Sequence, residues 1–178
     1  YVTLYFDLNS LPKKYLPYVG LLTNIYSFMN TENYSYTELT NKINIKTGGI
    51  STTASVIGDF IDHKKYTSLA KVRAKVLYEN LADSFDLMSE LITKTDFSDD
   101  ARLLELLNMI KTRMQPVILT SGHSTAIKRA LSYISEMDAC KELVGGLEFY
   151  RFICSLIDNY EQKKQELKDV LLVISKAA

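Results

Sequence analysis

Apolar and polar positions alternate from the first residues. Val2, Leu4, Phe6 and Leu8 are separated by Thr3, Tyr5 and Asp7, and this period of two predicts a half-buried strand over residues 2–8. The pattern then changes to helical spacing with Leu11, Tyr15, Val19, Leu22 and Tyr26, for which Ser10 is the expected N-cap and Pro12 a tolerated first-turn residue. A polar break at residues 30–33 precedes a second helix, in which Leu39 and Ile43 share a face. Ser35 and Glu38 have the S-x-x-E spacing of a capping box at its start. Gly48 and Gly49 end it, because glycine alone reaches positive φ without a Cβ penalty.

Beyond the double glycine the chain reads extended over residues 50–60, with Ser51, Thr53 and Ser55 alternating against Thr52, Ala54 and Val56. A charged connection over residues 62–68 follows. A third strand is then expected over residues 70–77, where Ala70, Val72, Ala74 and Val76 oppose a basic, solvated set of Lys71, Arg73 and Lys75. Two extended runs joined so closely predict an antiparallel pair, since a parallel crossover needs a dozen or more residues.

Every later segment reads as helix. Leu81, Phe85, Met88 and Leu91 or Ile92 define one amphipathic face, and Ser98 with Asp99 and Asp100 marks the next N-terminus. Leu103, Leu106, Leu107, Ile110 and Met114 continue that helix until Pro116 interrupts or kinks it. One helix is expected over residues 124–143, ending at Gly145-Gly146, another from Leu147, and a last one carrying Leu167, Val170, Leu171 and Ile174. Strands early and helices late predict a single α+β domain over residues 1–178, an antiparallel sheet with helices packed on one face.

A hydrophobic fraction of 47% over 178 residues supports one core without staples. The 21 basic and 21 acidic residues balance, which argues against binding to a nucleic-acid backbone or an anionic lipid surface. Cys140 and Cys154 are too few for a secreted disulfide framework and sit in apolar helical patterns, so buried free thiols and a reducing compartment (cytoplasm or organelle matrix) are expected. No apolar run approaches membrane-spanning length. A first residue that already belongs to a strand pattern suggests a piece of a longer polypeptide.

Candidate chemistry is sparse. The two histidines, His63 and His123, have no histidine or cysteine at ligand spacing, so no metal or cofactor site is expected here. Ser121-Gly122-His123 could be imagined as nucleophile and base with Asp138 as orienting group. Residues two apart on a helix do not face each other, however, and the simpler reading is a helix start capped by Ser121 or Ser124, with Gly122 allowing close packing. Gly48-Gly49 ends a helix where a phosphate loop would begin one. No catalytic residue is assigned.

Ser35 and Glu38 with T-G-G-I-S at residues 47–51, then Ser121-Gly122-His123, A-x-x-R-A at residues 126–130 and G-G-L-x-F from Gly145 and Gly146 to Phe149 occur in an order that resembles the pitrilysin/insulinase-type zinc metallopeptidases, in the presequence-protease branch. The resemblance lies in the third of four homologous domains, in the non-catalytic half. It implies the metallopeptidase-repeat fold, also found in mitochondrial processing peptidases, with a further strand after the last helix. It also implies a parent enzyme with zinc on an H-x-x-E-H helix elsewhere, whose halves close around short unstructured peptides. The partners would be the N-terminal catalytic half and the fourth domain of the same polypeptide. The alternative is a scaffold domain of the same fold without proteolysis.

Overall fold

The computed structural model describes residues 1–59, 61–62 and 65–177. Three strands, β1 (Val2–Asp7), β2 (Ile50–Gly58) and β3 (Tyr66–Ala74), form one antiparallel sheet in the order β1-β3-β2. Val2 and Ile50 both lie opposite Ala74, Leu4 and Thr52 opposite Val72, and Phe6 and Ala54 opposite Ala70. Because opposed residues share a face, this register puts Val2, Leu4, Phe6, Ile50, Ala54, Ala70, Val72 and Ala74 on one side. The other side carries Thr3, Tyr5, Ser51, Thr53, Lys71 and Arg73. The Lys71 ammonium stands 5.6 Å from the Tyr5 ring centre and the Arg73 guanidinium 4.3 Å from that of Tyr1, so this face is cationic and aromatic as well as solvated.

The third strand starts earlier than the alternation predicts. Residues 66–68 join the sheet by pairing antiparallel with Val56–Gly58 of β2, and on the other side Leu8 N donates to Ser68 O at 2.9 Å and Ser68 N donates to Asn9 Oδ1 at 3.0 Å. At its other end the strand closes at Ala74, while Lys75 still exchanges backbone bonds with Gly48 and Gly49 at 2.7 and 3.0 Å. The expected end of the second strand, Phe60, lies outside the described residues.

The helices are α1 (Leu16–Ile25), α2 (Tyr36–Lys46), α3 (Leu81–Thr93), α4 (Asp100–Thr120), α5 (Gly122–Leu131), α6 (Glu136–Gly145), α7 (Leu147–Asp158) and α8 (Tyr160–Ala177). Single 3-10 turns, Lys13–Tyr15 and Tyr26–Phe28, flank α1, and Pro12, not Ser10, stands at the cap of the first. Leu21 and Ile25 of α1, Leu39 of α2, Leu91 of α3, Ile110 of α4, Ile153 of α7 and Leu171 of α8 are each fully buried in one cluster against the apolar sheet face. Each such side chain contributes about 1.5–3 kcal/mol of transfer free energy.

Several helix boundaries differ from the periodicity. The expected helix over residues 124–143 is two helices. Ser132 Oγ donates to Arg129 O at 2.7 Å and closes α5, and Ser135 Oγ accepts from Asp138 N at 3.3 Å and starts α6. The long helix α4 continues through Pro116. Residue 112, whose carbonyl the proline leaves unbonded, is exposed, so water can satisfy it. Asp99 rather than Ser98 caps α4, accepting from Arg102 N at 2.9 Å. Phe85 leaves the core face of α3 and is 45% exposed, because Ser84, Leu87, Met88 and Leu91 turn inward.

Two polar anchors hold helix ends together. Tyr160 donates its hydroxyl to Asp100 O at 2.7 Å, tying α8 to α4, and burial, with the Asp100 charge adding to it, pushes the phenol up to about 12. Glu90 of α3 is buried and accepts from Thr31 Oγ1 at 2.7 Å and Asn33 Nδ2 at 2.9 Å, with Lys94 Nζ at 3.2 Å. This pins the segment before α2 onto α3.

Candidate functional site

The residues that carry the resemblance fall into three places. At α2, Ser35 Oγ accepts from Glu38 N at 3.3 Å and the Glu38 carboxylate accepts from Ser35 N at 3.0 Å, so the capping box forms. The Ser35 side-chain and backbone hydrogen bonds hold the Glu38 carboxyl below the usual carboxylate range. The helix stops at Thr47, and Gly49, at φ 119°, turns the chain into β2. Gly48 stays at negative φ, where an added Cβ would meet Lys75 Cδ at 3.0 Å.

The second place is the α6–α7 junction. Glu142 is buried, and its Oε2 accepts from Leu147 N at 3.1 Å and Glu148 N at 3.4 Å. The carboxylate thus caps α7 from the preceding helix, a favourable place for negative charge. It can do so because Gly146 has no Cβ: one built there would lie 2.3 Å from Glu142 Oε1. Around Gly145, by contrast, there is open space. A cleft of about 450 Å³ beside this junction is lined by Ser55, Lys128, Asp138, Lys141 and Glu142. The Ser55 hydroxyl is buried there without a hydrogen-bond partner among the described residues.

The third place is α5. Ser121 stands at its N-cap position but makes no side-chain capping bond, and Gly122 faces open space, so the expected close packing at this glycine is absent. His123 is exposed, and Asp138 is engaged with Lys141 at 3.0 Å. The Ser-Gly-His run thus lies at the start of α5 with Ser121 half-buried and Gly122 and His123 exposed. His63 lies outside the described residues. Among the described residues no group of three or more His, Cys, Asp or Glu side chains could hold a metal ion, so the donor set of a zinc peptidase centre is not assembled by them. Cys140 is buried, Cys154 is half-buried, and both are free thiols. No described helix is long and apolar enough to cross a membrane.

Sequence reasoning missed one further feature. A groove of about 640 Å³ lies beside β1, which is an edge strand among the described residues, and is lined by Leu4, Phe6, Phe85, Ile92, Ser175 and Lys176. Its only sequence signal is that β1 contains no lysine, proline or bulge, the usual protections of an edge strand.

Residues 1–156 match the family described as Peptidase M-16C associated. Protein HypA of Clostridium perfringens (strain 13 / Type A) is 34% identical over 171 residues, 96% of this chain and 17% of that protein. Presequence protease 1, chloroplastic/mitochondrial, of Arabidopsis thaliana is 30% identical over 159 residues, 88% of this chain and 14% of that protein. The mitochondrial presequence protease of Yarrowia lipolytica is 27% identical over 157 residues, 88% of this chain and 16% of that protein. The chain thus spans less than a fifth of the length of these relatives. With its match extending from the first strand into α7, the chain belongs to the Peptidase M-16C associated family.

Proposed function

We propose that this chain is a non-catalytic domain of a longer zinc-dependent endopeptidase that degrades short unstructured peptides. The observation that carries the reading is the family match over residues 1–156, together with relatives named presequence proteases that are several times longer than this chain. Zinc and the general base belong elsewhere in the parent, and the role of this domain is structural. It forms one wall of a chamber that admits flexible peptides, excludes folded proteins and holds the substrate near a distant metal. Its partners are the catalytic half and the following domain of the same polypeptide, in a reducing compartment such as an organelle matrix.

The groove beside β1 supports the expectation that a further strand joins the sheet. Its apolar lining includes the inward positions Leu4 and Phe6, and Ser175 and Lys176 at the end of α8 border it. An added strand would satisfy the free backbone groups of β1 and place alternate side chains in the groove. The test is to express the parent with and without residues 1–178, confirm equal zinc content, and measure cleavage of a quenched peptide. Loss of cleavage with zinc retained is expected. Full activity without this domain, or cleavage by the domain alone, overturns the reading.

A further inference from the structure

No residue over 111–139 is buried, although this stretch includes Met114, Val117, Ile118, Leu119, Ile127, Leu131, Tyr133 and Ile134. The second half of α4, all of α5 and the turn into α6 therefore form an arm that touches the main core through Met114 and leaves most of its other apolar residues exposed. Leu119 is 74% exposed, Ile127 59%, Tyr133 75% and Ile134 84%. Single exposed apolar side chains are ordinary, but a run of them on consecutive elements marks an interaction surface. A helix as short as α5 is marginal in water by itself, and packing of its apolar face is what normally stabilises it.

The charge on the arm is one-sided. Residues 106–135 contain no Asp or Glu but hold Lys111, Arg113, Lys128 and Arg129. Arg129 bonds Glu148 at 2.9 Å and stacks on Tyr133 at 4.7 Å, so it orients the aromatic ring at the rim. A cationic rim around apolar anchors is complementary to an apolar surface edged with carboxylates. A second copy of the chain fits poorly arm to arm, since like charges would meet. The Ser121-Gly122-His123 and A-x-x-R-A motifs both lie on this arm, where α5 buries no residue and Arg129 reaches Glu148 of α7.

We propose that the α4–α5 arm docks onto an acid-rimmed apolar surface of the remainder of the longer polypeptide. The inference rests on the reading of the chain as one segment of such a polypeptide, supported by relatives of which it spans 17% or less. The arm, not the sheet, then sets how this domain is held against its neighbours.

Hydrogen exchange and zero-length carbodiimide crosslinking on the parent polypeptide and on the 178-residue chain test this. In the parent, exchange over residues 111–134 should be slowed about tenfold or more relative to the isolated chain, as expected when an open segment gains a packed interface. Lys111 or Lys128 should also crosslink to carboxylates outside this chain. The Lys111→Glu/Lys128→Glu and Ile127→Asp variants should abolish both signals in the parent while leaving the melting temperature of the isolated chain unchanged.

Equal exchange in the two forms overturns the proposal. Slowing that appears in the isolated chain only at high concentration assigns the arm to a second copy, and slowing only with vesicles of phosphatidylglycerol and phosphatidylcholine assigns it to a membrane surface. Either result overturns the proposal as well. Peptide cleavage by the parent is read separately: an active parent with an unprotected arm sinks the docking alone, and an inactive parent with a protected arm sinks the peptidase reading alone.

Discussion

The Glu142 carboxylate lies across Gly146, close enough that a Cβ on residue 146 would stand 2.3 Å from Oε1 and 2.8 Å from the Glu142 Cα. One acid thereby closes α6 and caps α7, and the glycine makes room for it. Gly146→Ala should cost on the order of 1–3 kcal/mol, the usual penalty for forced overpacking. Combined with Glu142→Ala, the loss should be smaller than the sum of the two single changes, because they share one contact. Urea melts of the four-member cycle measure this, and strict additivity would show that the carboxylate and the glycine act independently.

The two glycines after α2 should behave differently. Gly49 sits at φ 119° with open space around it, so alanine there is strained by backbone conformation alone and should cost about 1 kcal/mol or more. Gly48 needs no special φ, and alanine there has only to displace the Lys75 side chain, a flexible neighbour. Thermal melts should show the larger drop for Gly49→Ala, about 2–4 °C per kcal/mol for a chain of this size. The reverse order would move the conformational requirement to Gly48.

Much of this architecture is written in local patterns. The alternations at Val2–Phe6 and Ala70–Ala74, the Ser35–Glu38 box and the helical runs around Leu106 and Leu167 depend on neighbours in the sequence, and each appears at its place in the fold. What escaped depends on neighbours in space. Residues 66–68 read as polar connection but join the sheet because Val56–Gly58 of β2 lie alongside. The helix read across residues 132–135 divides because two serines bond backbone groups, an option the apolar period does not reveal. Gly146 reads as a simple terminator until the buried Glu142 is seen over it. Gly122 reads as a packing glycine until its surroundings prove empty.

Glu90 should make the domain sensitive to acid. Burial works against its charge, but hydrogen bonds from Thr31, Asn33 and Lys94 outweigh that and hold the carboxyl below its ordinary value of 4.5. A carboxyl depressed in the folded state binds its proton more readily when unfolded. Its contribution is therefore present in full above the unfolded value and is lost as pH falls through the folded one. Stability between pH 7 and 5 should be nearly flat from this source and should decline below about pH 4.5. Glu90→Ala should lower stability at pH 7 by about 1–3 kcal/mol, by removing the acceptor that Thr31 Oγ1, Asn33 N and Asn33 Nδ2 share, and should flatten the acid slope. An unchanged slope in the variant would assign acid sensitivity to other carboxylates, such as Asp100 beside Lys168.

The chain alone should not retain zinc. The described residues assemble no ligand group, and His123 stands exposed on α5. Dialysis against metal-free buffer followed by elemental analysis should leave well under one zinc per chain. Stoichiometric zinc that disappears on replacing His63 or His123 would show a site built from residues the sequence spacing does not join.

The groove beside β1 gives the most direct test of how the domain is completed. Phe85 projects into it from α3 and is 45% exposed, while Leu4 and Phe6 reach it from the sheet. If another strand lies along β1 in the parent, Phe85 is buried there and exposed only in the separate chain. Phe85→Lys should then change the stability of the isolated chain by no more than about 0.5 kcal/mol, as surface substitutions do. In the parent the same change should cost on the order of 1.5–3 kcal/mol, the loss of a buried aromatic contact made worse by a charge with no partner. Denaturant melts of both forms, monitored by near-ultraviolet tyrosine signals, compare the two. Equal small effects would remove the groove from the interface and leave the free edge of β1 to be covered in some other way, whereas a large effect in the isolated chain would mean that Phe85 already packs within this domain.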